Sequence, residues 1–182
     1  MMKKIVKETL HAVLYIACVL CLTWLILTFV GQRTEVSGSS MESTLSDGDN
    51  LIVDKLSYRF QDPERFDIIV FPFQYDTSKY YIKRIIGLPG ETVQIDKEGR
   101  IYINGEVLEE NYGREVILPE NIGIASSLIT LGEEEYFVLG DNRNNSSDSR
   151  TQVVGNIKRK DIIGKAWVRI WPLDKIGVLT HQ

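Results

Sequence analysis

The run from Thr9 to Val30 constrains this chain more than any other stretch, because no charge interrupts it apart from whatever His11 carries. As an α-helix its 22 residues would span roughly 33 Å, enough to cross the hydrocarbon core of a bilayer. Its sides are too uniformly apolar for a surface helix, which leaves a buried core helix as the alternative. A removable leader would be shorter and would end in an Ala-x-Ala-like exit, whereas this run leaves through Phe29-Val30-Gly31-Gln32-Arg33. Lys3, Lys4 and Lys7 precede it, and Arg33 beyond it is offset by Glu35. That bias predicts a cytoplasmic N-terminus over residues 1–8, a single uncleaved anchor over 9–30 and an extracytoplasmic domain over 31–182.

Past Gly31 the pattern changes to short segments rich in Ile, Val, Tyr and Phe, separated by turn residues. Asn50–Leu56, Asp67–Phe73, Tyr80–Leu88, Glu91–Asp96, Arg100–Ile103, Tyr136–Leu139 and Ile162–Trp171 read as strands. Asn104-Gly105 between two such segments signals a hairpin, and Leu88-Pro89-Gly90-Glu91 a turn. Helical periodicity is scarce here, so the expectation is a mainly β domain behind one transmembrane helix. Residues 109–132 are less patterned and read as a loop or small excursion. No repeat or Gly/Ser linker divides the domain.

Charge and side-chain inventory exclude several functions. Of 21 basic and 25 acidic residues the first thirty hold three and one, so the remainder carries 18 against 24, a net −6. An acidic domain with no basic stripe argues against nucleic acid. His11 and His181 stand at opposite ends, and Cys18 and Cys21 lie inside the apolar run. No zinc site or disulfide framework can be assembled from these, and no cofactor is expected.

Two polar stretches then stand out, with a lysine between them. Ser37-Gly38-Ser39-Ser40-Met41-Glu42-Ser43-Thr44-Leu45 crowds small residues around Ser40, so the backbone can turn tightly and present a hydroxyl. Such clusters are ordinarily loops. Lys83 sits in Tyr80-Tyr81-Ile82-Lys83-Arg84-Ile85-Ile86, where strand alternation puts Tyr81, Lys83 and Ile85 on one face and Arg84 on the other. A lysine on a strand ordinarily snorkels to water. Buried, it would lose its proton more readily and could serve as a base, which a serine hydroxyl needs before it can attack. The third stretch is Gly140-Asp141-Asn142-Arg143-Asn144-Asn145-Ser146-Ser147-Asp148-Ser149-Arg150. With no usable histidine, the combination suggests a Ser–Lys hydrolase.

In order and spacing these segments resemble the motifs of bacterial type I signal peptidases, over essentially the whole chain. Ser40 to Leu45 is similar to their Ser-Met-x-Pro-Thr-Leu nucleophile motif, with Ser43 in place of proline. Tyr81 to Glu91 resembles their lysine motif, and Gly140 to Arg150 their third motif. The short length and lone anchor look most like the Gram-positive branch. The resemblance implies Ser40 as nucleophile, Lys83 as general base and Ser146 as the serine that orients the lysine. It also implies Asp141, Asp148, Arg150 and Arg84 as supporting residues, with an Asp148–Arg150 ion pair beside Lys83. The Ser40 N–H would form part of the oxyanion hole. Some members add a hydroxyl two positions before the nucleophile. Here that position is Gly38, so Ser37, Ser39 or the loop backbone would have to serve.

The same resemblance implies signal peptides of exported preproteins as substrates, cut after small residues at −1 and −3. Val36, Met41, Leu45, Leu51, Tyr81 and Ile82 match pocket positions, although core packing would account for most of them. Strand addition beside the Lys83 strand would suit an extended substrate, close to the membrane and near the export translocon. Trp167 and Trp171 fit either the membrane interface or the core. Ser43 stands where a penicillin-binding enzyme would need lysine, and the anchor argues against an autocleaving repressor-type domain. Mitochondrial inner-membrane processing peptidases share the motifs. A non-enzymatic membrane-tethered β module is the remaining rival, and it would tolerate loss of Ser40 and Lys83.

Overall fold

A computed structural model of the chain describes residues 2–25 and 31–179. Helix α1 covers Met2–Leu25. Its apolar part, Val6–Trp24, has a mean hydropathy of 1.5 and no part buried against the domain. A core helix would be covered, so the buried alternative does not hold. The last five residues of the expected anchor, 26–30, lie outside the described residues.

Twelve strands follow among the described residues: β1 Gly31–Glu35, β2 Asn50–Asp54, β3 Ile68–Phe73, β4 Asp76–Gly87, β5 Thr92–Ile95, β6 Ile101–Ile103, β7 Glu106–Val107, β8 Ile129–Thr130, β9 Glu135–Leu139, β10 Ile157–Lys158, β11 Gly164–Trp171 and β12 Gly177–Val178. The expected mainly β architecture is present. Eight strands form one antiparallel sheet in the order β1-β2-β11-β3-β4-β9-β10, with β12 on β11. A second sheet runs β7-β6-β5-β8. Asn104 and Gly105 both have positive φ, 51° and 84°, which gives the tight turn that joins β6 to β7.

Four strands, β1, β8, β10 and β12, escaped the sequence reading. Their segments, such as Gly31-Gln32-Arg33-Thr34-Glu35, are polar or two residues long. The stretch 109–132 is mostly irregular, with short 3-10 turns at Pro119–Asn121 and Gly123–Ser126 before β8.

β4 organises the interior. Its side chains feed three apolar clusters: Ile82 lies with Val36, Met41, Leu45 and Leu51, Ile85 with Tyr58, Ile69 and Phe71, and Ile86 with Val93, Ile101 and Phe137. A strand buried on both faces reads as the near-continuous apolar run seen at 80–86. Along one side β4 pairs with β3 over almost its whole length. Along the other it pairs with β9 only from Arg84 onward. Residues 76–83 therefore keep one unpaired edge among the described residues, and Lys83 sits where pairing stops. Trp167 and Trp171 are half-exposed, so neither belongs to the core.

Candidate active site

The nucleophile loop, residues 36–49, leaves β1 and returns into β2. The N–H of Gly38 donates to Asp47 Oδ1 at 2.7 Å, and the Leu45 N–H to Met41 O at 2.8 Å. Across the site, Asn142 donates its backbone N–H to Ser40 O and its side-chain amide to Ser39 O, both at 3.0 Å. Thr44 Oγ1 donates to Asp141 Oδ2 at 2.5 Å. The serine at 43 thus sits in a loop pinned to the third motif from both sides.

Those ties bring Ser40 Oγ to 2.7 Å from Lys83 Nζ, which also donates to Ile82 O at 2.9 Å. Lys83 is only 4% exposed. Burial pushes its ammonium down to about 8, against the pull of Asp148 and Asp141 in the other direction. The Tyr81 ring centroid lies 5.3 Å from Nζ, on the face expected from alternation. A 2.7 Å separation lets the ammonium donate to the hydroxyl, or the hydroxyl donate to the neutral amine.

Neither neighbouring carboxylate touches the lysine, because each is taken by an arginine. Arg84, the next residue along β4, grips Asp141 through Nε and Nη2 at 2.9 and 2.7 Å. Arg150 does the same to Asp148, both contacts at 2.8 Å. All four side chains are buried. Asp148 also accepts the Gly140 N–H at 3.0 Å, and Arg150 donates to Arg143 O and Asn121 O. Buried pairs of this kind hold their geometry because each partner's remaining donors and acceptors are used.

Ser146 departs from the expected arrangement. Its Oγ is buried without a hydrogen-bond partner among the described residues, and Lys83 bonds to Ser40 and Ile82 instead. The hydroxyl is packed against Gly140, where a Cβ would lie 2.2 Å from Ser146 Oγ and 2.4 Å from Ser40 O. Only glycine fits at this contact between the nucleophile loop and the third motif, a requirement that no residue pattern in the sequence announces.

A groove of about 630 Å³ opens at Ser40, bounded by residues 34–41 on one side, 79–83 on the other and Asn145 and Ser147 at the end. Its side along 79–83 is the unpaired edge of β4. Val36, Met41, Tyr81 and Ile82 line it. Leu45 and Leu51 do not: both are fully buried beneath it, packed with Met41 and Val36. Their assignment as pocket residues is corrected to core. Gly38 has φ 91°, a conformation in which a serine would be strained. Of the neighbouring hydroxyls, Ser39 Oγ is held by Asn145 Nδ2 at 2.9 Å. No cluster of metal-ligating side chains occurs among the described residues.

A hydroxyl against a buried amine, at the head of a groove walled by an unpaired strand edge, is the arrangement of a Ser–Lys hydrolase. Comparison with known proteins specifies the family. The model of "Signal peptidase, peptidase S26" matches residues 7–171, and the chain belongs to that family. A probable signal peptidase I-2 of Synechocystis sp. is 42% identical over 160 residues, covering 85% of this chain and 70% of its own. Signal peptidase I of Leptolyngbya laminosa is 44% identical over 159 residues, covering 84% and 74%. Signal peptidase I P of Bacillus subtilis subsp. natto is 35% identical over 162 residues, covering 86% of each. The Bacillus relative, from the branch to which the short length and lone anchor pointed, is less identical than the other two.

Proposed function

We propose that this chain is a membrane-anchored signal peptidase that removes signal peptides from exported preproteins, with Ser40 as nucleophile and Lys83 as general base. The observation that carries the reading is the 2.7 Å Ser40 Oγ–Lys83 Nζ contact with a lysine burial has driven toward neutrality. Neutral Nζ takes the Ser40 proton as Oγ attacks the scissile carbonyl carbon. The oxyanion that forms accepts the Ser40 N–H. When the tetrahedral intermediate collapses, the C–N bond breaks and Lys83 returns its proton to the departing amine, leaving the signal peptide esterified to Ser40. Lys83 then takes a proton from water, whose oxygen attacks the ester, and gives it back to Ser40 Oγ.

The substrate adds as a strand along 79–83, so that alternate side chains face the groove near Val36, Met41, Tyr81 and Ile82. This spacing fits small residues at −1 and −3. Residues 9–30 anchor the domain, with 1–8 in the cytoplasm and 31–182 outside, which leaves Ser40 where a translocated precursor emerges beside the export translocon. Exposed Trp167, Trp171, Leu173 and Ile176 form an apolar surface suited to resting on the bilayer.

The test is cleavage of a secretory precursor carrying an Ala-x-Ala site, in detergent or lipid, with the new N-terminus read by mass. The natural protein cuts after the −1 residue; Ser40→Ala and Lys83→Ala do not. Equal cutting by Lys83→Ala would make the lysine structural.

A further inference from the structure

The irregular stretch after β7 has no part in the mechanism above, yet three alternate residues in it reach three parts of the site. Glu110 grips the Arg143 guanidinium in the third motif, at 2.7 and 2.9 Å. Tyr112 lays its ring over Arg84, 3.7 Å from Cζ to the ring centroid, and meets Phe66 at 5.0 Å between centroids. Arg114 donates its backbone N–H to Asp141 O at 2.8 Å and Nη1 to Glu42 Oε2 at 3.0 Å, two residues past the nucleophile. The Tyr112 N–H donates to Glu110 Oε2 at 3.0 Å, which ties the strap to itself.

We infer that residues 110–114 are a strap that positions the Ser40–Lys83 dyad from behind, with Tyr112 as its positioning residue. Arg84 is the point of leverage. It follows Lys83 on β4, donates Nη1 to Phe66 O at 2.9 Å, and through Asp141 it is joined to Thr44 of the nucleophile loop. The Tyr112 ring closes the face of the guanidinium that these hydrogen bonds leave open. A planar cation with its edge on a carboxylate and its face on a ring is fixed in tilt as well as in place. Without the ring, water reaches the Arg84–Asp141 pair and the lysine strand is freed relative to the loop. Dyad geometry loosens while the groove, on the opposite side, keeps its shape.

The inference rests on the proposed dyad, so the experiment carries Ser40→Ala and Lys83→Ala beside the strap variants, all in the full-length protein in detergent with the Ala-x-Ala precursor. Tyr112→Leu is expected to lower kcat by about ten-fold, as small misplacements of reacting groups do, with KM within two-fold. Its acid limb moves to higher pH, because Asp141, less neutralised by Arg84, then acts on Lys83 alongside the Asp148–Arg150 pair. Tyr112→Phe keeps the ring and restores both. Arg114→Ala, at an exposed contact that the fold does not need, lowers kcat two- to three-fold, and this variant decides the matter if Tyr112→Leu does not fold. Unchanged kcat and pH profile with only a lower melting temperature would overturn the inference, and so would a Tyr112→Phe as impaired as Tyr112→Leu. Activity retained by Ser40→Ala or Lys83→Ala would instead overturn the dyad itself.

Discussion

Lys83 and Arg84 are neighbours on one strand, both cationic in water and both almost fully buried, and the fold treats them in opposite ways. Arg84 receives a carboxylate in bidentate contact and an aromatic face. Lys83 receives a hydroxyl and a carbonyl oxygen, neither of them charged. One cation is thereby kept charged and made structural; the other is left to lose its proton. The two regions depend on each other. Asp141 and Asp148 pull the lysine upward against burial, and they would pull harder were their charges not shared with Arg84 and Arg150. Desolvation outweighs the nearby opposite charges here, each of which already has an arginine partner.

The strongest way to break this contrast is to make the two positions alike. Lys83→Arg puts a permanently charged group where a base is needed, and cleavage should fall by about 10²–10⁴-fold, to the level of Lys83→Ala in the same assay. The reciprocal change, Arg84→Met, strands the Asp141 carboxylate. Urea denaturation should show a loss of about 3–5 kcal/mol, and the remaining activity should have its acid limb at higher pH.

A third comparison separates groove from core. Leu51→Ala should cost about 2–5 kcal/mol with the −1 preference unchanged. Met41→Ala should admit larger −1 side chains, read by competition between precursors. The mildest test concerns stability against pH. Lys83 titrates near 8 in the folded chain and near 10.4 unfolded, so between those values the unfolded chain binds more protons. Stability contributed by this group should rise with pH across that window, by at most about 1.4 kcal/mol per pH unit. Lys83→Met should remove the slope.

What could be read from sequence follows from where the information lies. Ser40, Lys83 and the block from Gly140 to Arg150 were legible because reacting and charged groups stand there among small or apolar neighbours in short stretches. The strand around Lys83 was legible from its apolar run, but its first residues, Asp76-Thr77-Ser78-Lys79, are polar and join the sheet only through β3. Strand β1 was invisible for the same reason: Gly31 to Glu35 are mostly polar and are held by backbone pairing with β2 and one side-chain bond from Arg33 to Asn50. Side-chain type could not separate Leu45 and Leu51 from Met41 and Val36, since all four are apolar and buried in one cluster, and only the first two fail to reach the groove wall. The place of Tyr112 over Arg84 and the bond from Thr44 to Asp141, 97 residues apart, are products of the fold. No local pattern announces them. Ser146 fits the family motif in sequence, but the close approach of its hydroxyl to Gly140 is revealed only by the packing.

The most direct test of the contrast between the two cations is a titration of the Lys83 side chain itself, by the ¹³Cε shift of labelled lysine in the intact protein with Lys83→Met for assignment. An inflection near pH 8 that coincides with the acid limb of precursor cleavage is the predicted result. A lysine that stays charged up to its ordinary value near 10.4, in a protein that cleaves fully at pH 8, would contradict the account.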